Sequence, residues 1–78
     1  MIVVCNEENG KKVQFENAIK AEKFVLDVWH ITQDLELRFA LYEIDCPFYE
    51  YDGDFNDDNL IGVFRDYEYI AKGDLCKK

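Results

Sequence analysis

From Ala18 to about Thr32 the chain contains neither glycine nor proline, and its apolar residues recur at helical intervals. Ala18, Ala21, Phe24, Val25, Val28, Trp29 and Ile31 make a broad apolar stripe, while Lys20, Lys23, Asp27 and His30 lie mostly off it. Asn17 precedes the stripe and is a good N-cap, because its side-chain oxygen can take a backbone N–H of the first turn. A helix over residues 18–32 therefore has a face that must be covered, and Trp29 is its expected core anchor. The other ordered segments have the period of strands, so the helix is expected to lie across one face of a sheet.

Met1 to Cys5 is a short run rich in Ile and Val, and Lys11 to Phe15 alternates, with Val13 and Phe15 on one side and Lys12 and Gln14 on the other. Asn9-Gly10 between them is a hairpin signal, since both residues tolerate positive φ. Leu35 to Ile44 reads as a long central strand, with Leu35, Leu37, Phe39 and Leu41 under the helix and Glu36, Arg38 and Tyr42 opposite. Cys46-Pro47 interrupts it, because proline gives no N–H to a ladder. Leu60 to Ala71 reads as one partly covered strand or two short ones. Ile61, Val63, Tyr67 and Tyr69 fall on one face, Arg65 interrupts them, and Phe64 and Ile70 point the other way. Gly73 and Lys77-Lys78 look like a fraying tail.

The expected fold is α+β: a small antiparallel sheet in the order β-β-α-β-β-β with one helix on one face. Its expected core holds Phe15, Phe24, Val25, Val28, Leu37, Phe39 and Val63. The 78 residues form a single domain, 1–78, of a size that buries roughly 60% of its unfolded surface, enough for one modest core. An apolar content of 49% sets the chain apart from disordered sequences despite its charge.

That charge is −8 and it is concentrated. Residues 43–58 hold Glu43, Asp45, Glu50, Asp52, Asp54, Asp57 and Asp58, and no lysine or arginine lies between Arg38 and Arg65. The window carries −7 and the rest of the chain about −1. Tyr49, Tyr51 and Phe55 are woven through it at odd positions, with Glu50, Asp52 and Asp54 at even ones. In an extended segment the carboxylates would form a row about 6.6–6.8 Å apart, spaced broadly like phosphates. Asp52-Gly53 is also a hairpin signal, so an edge strand and a turn at Gly53 both remain open; Asn56 to Asn59 is loop in either case.

Catalytic chemistry finds little support. The chain has no serine, and Thr32 is its only aliphatic hydroxyl residue. His30 is the single histidine, better placed to interact with a helix C-terminus than to activate a thiol. Cys5, Cys46 and Cys76 are an odd, widely spaced set, read as reduced thiols of a cytoplasmic protein. Gly10, Gly53, Gly62 and Gly73 stand alone, so there is no phosphate loop. Asp52, Asp54, Asn56 and Asp58 match the first positions of a calcium loop, but Asp57 and Val63 stand where that loop needs glycine and glutamate. No cofactor and no metal are expected. The N-terminus lacks the basic and long apolar regions of a signal peptide, and no run spans a bilayer.

Negative charge opposes direct binding to nucleic acid and favours a basic protein partner. The expected partner-binding residues are Glu43, Asp45, Tyr49, Glu50, Tyr51, Asp52, Asp54, Phe55, Asp57 and Asp58. In size, acidity and lack of catalytic groups the chain resembles in type the small phage inhibitors of bacterial defence, the anti-CRISPR and anti-restriction proteins, several of which mimic DNA. The resemblance rests on no motif and assigns no residue a role. It implies a non-enzymatic inhibitor that occupies the basic groove of a nuclease or CRISPR effector. An antitoxin-like or accessory module for a small basic protein, and a structural subunit with a merely solvated acidic face, are the alternatives.

Overall fold

The computed structural model describes residues 1–34, 36–66 and 68–75. Strands β1 (Ile2–Asn6) and β2 (Lys12–Phe15) form a hairpin, helix α1 (Ala18–Thr32) follows, and then come β3 (Phe39–Glu43), β4 (Leu60–Arg65), β5 (Glu68–Ala71) and the short helix α2 (Lys72–Leu75). The sheet is antiparallel throughout, in the order β2-β1-β3-β4-β5. The expected α+β arrangement is present, but its fourth and fifth strands come from residues 60–71, not from the acidic window. β3 begins at Phe39 and not at the expected Leu35, because Glu36 lies in a turn and Leu37 and Arg38 precede the ladder, and Gly73 of the expected fraying tail lies in α2. Leu35 itself, the face of Tyr67, and Cys76 with Lys77-Lys78 of the tail lie outside the described residues.

Local chemistry explains the boundaries. The hairpin closes through Glu7 to Gly10, not through a two-residue Asn9-Gly10 turn: the Asn6 N–H donates to the Lys11 carbonyl and the Gly10 N–H to the Asn6 carbonyl. Gly10 sits at φ 75°, where a side chain is strained. Asn17 caps α1 as expected, its side chain accepting from the Lys20 N–H at 2.9 Å. Gln33 ends the helix in the left-handed region, returning its N–H to the Trp29 carbonyl. Asp66, also left-handed, begins the turn that divides the last segment into β4 and β5.

That turn corrects the expected faces. The register pairs Phe39 with Phe64 and Phe64 with Tyr69, placing all three on the helix side, while Val63 pairs with Ala40 and Ile70 on the opposite side. Val63 is buried, but in the second face and not in the core under α1. The helix-side core is Ile2, Val4, Ala21, Val25, Trp29, Leu37, Phe39, Leu41 and Phe64, with Phe15, Phe24, Val28 and Ile61 packed around it. Trp29 is fully buried; its ring meets Phe39 and Phe64 edge-on at 6.1 and 5.8 Å. Its Nε1–H donates to the Leu37 carbonyl at 3.1 Å, which satisfies the indole's only donor. Ala18 and Ile31, at the ends of the predicted stripe, are exposed, and Ile31 keeps 80% of its surface. Only the central turns of α1 sit squarely on the sheet.

These positions set a stability order. Trp29→Ala is expected to cost about 3–5 kcal/mol, as for a large buried aromatic. Val25→Asp, at a fully buried position, should prevent folding because it buries an unpaired charge. Val28→Asp, on the half-buried flank, should be markedly milder. Denaturant midpoints for Trp29→Ala and Val28→Asp, with circular dichroism to show whether Val25→Asp folds at all, test the order.

Candidate functional site

The acidic window lies in the connection between β3 and β4, and this segment is neither an edge strand nor a hairpin. Phe48–Glu50 forms a single 3-10 turn just after Pro47, and residues 51–59 return in a series of bends. The reason is that the segment folds back over the sheet face that α1 leaves open. Val3 lies on that face between Gln14 and Tyr42, its register partners on β2 and β3, and it is completely buried. The Gln14 side-chain oxygen accepts from the Phe48 N–H, and Phe55 packs edge-on against Tyr42 at 5.2 Å. Phe55 also meets Phe48 and Tyr51 at 5.8 and 5.1 Å, and the Lys12 ammonium sits 5.5 Å from its ring centre. Phe55 is thus the hub of a second, smaller core.

The rest of the loop is held by its own polar groups. The Tyr51 hydroxyl donates to the Asp54 carbonyl at 2.7 Å. Asn59 Nδ2 donates to the Tyr51 hydroxyl and to the Asp54 carbonyl, while its Oδ1 accepts the Asn56 N–H. Asn56 Oδ1 in turn accepts the Asp58 N–H. The asparagines act as turn formers, as their spacing indicated. Gly53 is needed because the Tyr51 ring crosses it: a Cβ there would lie 2.8 Å from the Tyr51 hydroxyl oxygen and 2.9 Å from the ring carbon that bears it. At the far end the Lys72 ammonium donates to the Asp57 carbonyl.

With Phe48, Tyr51 and Phe55 turned toward the sheet, Glu43, Asp45, Glu50, Asp52, Asp54, Asp57 and Asp58 are all exposed, and none forms an ion pair with a described residue. They do not form the expected straight row. Asp45, Glu50 and Asp52 act electrostatically on Cys46, while Glu43, Asp45, Asp54 and Asp58 line an open depression of about 580 Å³. No group of three or more His, Cys, Asp or Glu among the described residues is placed to hold a metal ion. Of the three predicted aromatic anchors, Tyr51 and Phe55 are half-buried parts of the fold. Tyr49 is 84% exposed and is the one ring free to meet another molecule.

The fastening residues Lys12, Gln14, Tyr42, Phe48 and Asn59 were not among the predicted site residues. The single sequence signal for them was an excess of aromatic residues in a segment otherwise composed of turn formers. Cys5 and Cys46 are free thiols, both half-buried, and His30 is exposed on the last turn of α1. Burial pushes the Cys46 thiol up, reinforced by Asp45, Glu50 and Asp52. Burial also raises the Tyr42 hydroxyl above its ordinary range, helped by the negative charge of Cys5, Glu7 and Asp57.

Comparison with protein families, curated proteins and solved structures found no match. No helix among the described residues is long and apolar enough to cross a membrane.

Two outcomes follow from the loop's attachment. Phe55→Ala should lower stability by about 1–3 kcal/mol, less than for a fully buried ring, and should open residues 48–58 to protease. Cys46 and Tyr42 bind their protons more tightly in the folded state, so the unfolded chain ionises first as pH rises. Stability should begin to fall above about pH 9 and fall further above about pH 10. Cys46→Ala and Tyr42→Phe should each flatten part of that decline in denaturant titrations taken along a pH series.

Proposed function

We propose that this protein is a non-enzymatic binding protein whose acidic cap, residues 43–58, occupies the basic nucleic-acid-binding groove of another protein. The observation that carries the reading is the combination of charge and attachment. Seven exposed carboxylates, without ion pairs to described residues, project from the end of β3 (Glu43) and from the loop after it (the other six), whose aromatic side chains fasten it to the sheet. A charge cluster held in place gives up less conformational entropy on binding than the same charges on a mobile tail. The proposed partner is a cationic groove of the kind found in nucleases and CRISPR effectors, and the proposed role is inhibition, as in the anti-CRISPR and anti-restriction proteins. Because the carboxylates are clustered and not in a regular row, the mimicry of nucleic acid is one of charge density, not of phosphate spacing.

The test is the combined Glu50→Gln, Asp52→Asn and Asp54→Asn variant, set against the wild type on a basic partner captured from bacterial lysate. Association should slow by about tenfold or more at low salt, and the difference should shrink as salt rises. The stability change should stay within about 0.5 kcal/mol per site, since these are exposed groups. Tyr49→Ala should speed dissociation without lowering the melting temperature, whereas Tyr51→Ala should do both. Unchanged affinity and salt dependence in the triple variant would show that the cap is only solvated.

A further inference from the structure

The opposite end of the sheet carries a second charged site, apart from the acidic window. Arg38 precedes β3 and Arg65 ends β4, whereas the acidic window joins the other ends of the same two strands. The Glu7 N–H donates to the Arg38 carbonyl at 3.0 Å, which carries the β1–β3 pairing one residue past Asn6 and Phe39. One step beyond the Phe39–Phe64 pair, the antiparallel register sets Arg38 against Arg65. Like charges at facing positions of a ladder repel. Glu68 is the register partner of Arg65 on its other side, yet neither guanidinium forms an ion pair with a described residue. Arg65 is half-buried, and its Nε is shielded from solvent with no hydrogen-bond partner among the described residues. A shielded donor on a charged group is costly to leave without an acceptor, and such a group in a native fold calls for an explanation.

Both arginines line one open depression of about 480 Å³, together with Glu7, Glu8, Asp34 and Glu36. Three connections meet there: β1–β2 supplies Glu7 and Glu8, α1–β3 supplies Asp34, Glu36 and Arg38, and Arg65 stands where β4 turns into β5. The two acidic connections are fixed by side-chain turns. The Asp34 side chain accepts the Glu36 N–H at 3.0 Å, and the Asn6 side chain accepts the Glu8 N–H at 2.9 Å. The geometry points to a binding site for a small zwitterion of the α-amino-acid type, its carboxylate held between Arg38 and Arg65 and its ammonium facing the acids. Guanidinium forks match the planar carboxylate. The charges of the lining choose the rest of the ligand. Four carboxylates against two guanidiniums leave −2, so a phosphate dianion or a nucleic-acid strand is repelled. A plain cation would meet two guanidiniums, and the described acids are not placed to hold a metal ion. A molecule with both charges a few ångströms apart satisfies both sets. Binding draws the Arg65 guanidinium toward the depression, so that its Nε–H gains an acceptor, and the move breaks no hydrogen bond from that side chain to a described residue.

Nuclear magnetic resonance of the arginine side chains tests this on the intact chain. At constant ionic strength, L-alanine should shift the Arg65 Nε–H resonance and saturate in the millimolar range. Propionate, which lacks the ammonium, and ethylamine, which lacks the carboxylate, should each bind at least about tenfold more weakly. Arg65→Met keeps an apolar stem in place and removes the donors. It and Arg38→Met should each weaken alanine binding by about tenfold or more, read from the Glu8 and Glu36 backbone amides. Asp34→Asn combined with Glu36→Gln should weaken alanine binding and strengthen propionate binding, a reversal that loss of structure would not produce. The dispersion of the amide spectrum shows that each variant is folded. Alanine that shifts neither the Arg65 Nε–H nor these amides overturns the proposal. So does propionate that binds as tightly as alanine, or an unchanged alanine affinity in Arg65→Met.

Discussion

The structure depends on the placement of one indole. Trp29 is the largest fully buried side chain, and its N–H closes onto the Leu37 carbonyl, in the segment that leads into β3. That bond ties the C-terminal half of α1 to the start of the central sheet pairings, and the ring spreads across Phe39 and Phe64 on two neighbouring strands. An apolar residue of similar volume would fill the space but would leave the Leu37 carbonyl without this partner. The packing of α1, the entry into β3 and the β3–β4 register meet at this one side chain.

A sheet of five strands has two faces, and the described residues supply one long helix to cover them. The second face is closed in part by the β3–β4 connection, which explains why so acidic a segment is also rich in aromatic residues. The rings of Phe48, Tyr51 and Phe55 serve the fold, while Tyr49 and the carboxylates are left to solvent. Segregation of this kind avoids burying charge, which would be costly without partners. It also concentrates like charges on one surface, so some mutual repulsion is built into the native state. A surface that gains little for stability and is nonetheless held firmly has the physical character of a binding site, and the functional proposal rests on that.

Much of the architecture was legible in the sequence because it follows from local periodicity. The helix over 18–32, its Asn17 cap, Trp29 as anchor and the α+β class all arise from spacings that hold whatever the rest of the chain does. The candidate site was legible in part: the carboxylates were located and are exposed, because charge seeks water in any fold. What the sequence did not determine was the course of residues 48–55. Alternation of aromatic and acidic residues is what a strand produces, and it is equally what a loop produces when its rings turn toward a sheet and its acids turn away. The choice between them was made by the open face around Val3, with Gln14 and Tyr42 beside it, which exists only once β1, β2 and β3 are assembled. The same holds for Val63 and Tyr69, whose faces were set by the turn at Asp66 and by pairing across strands. Periodicity is a property of neighbours in sequence, whereas the vacancy that captured Phe55 is a property of residues brought together from three separate strands.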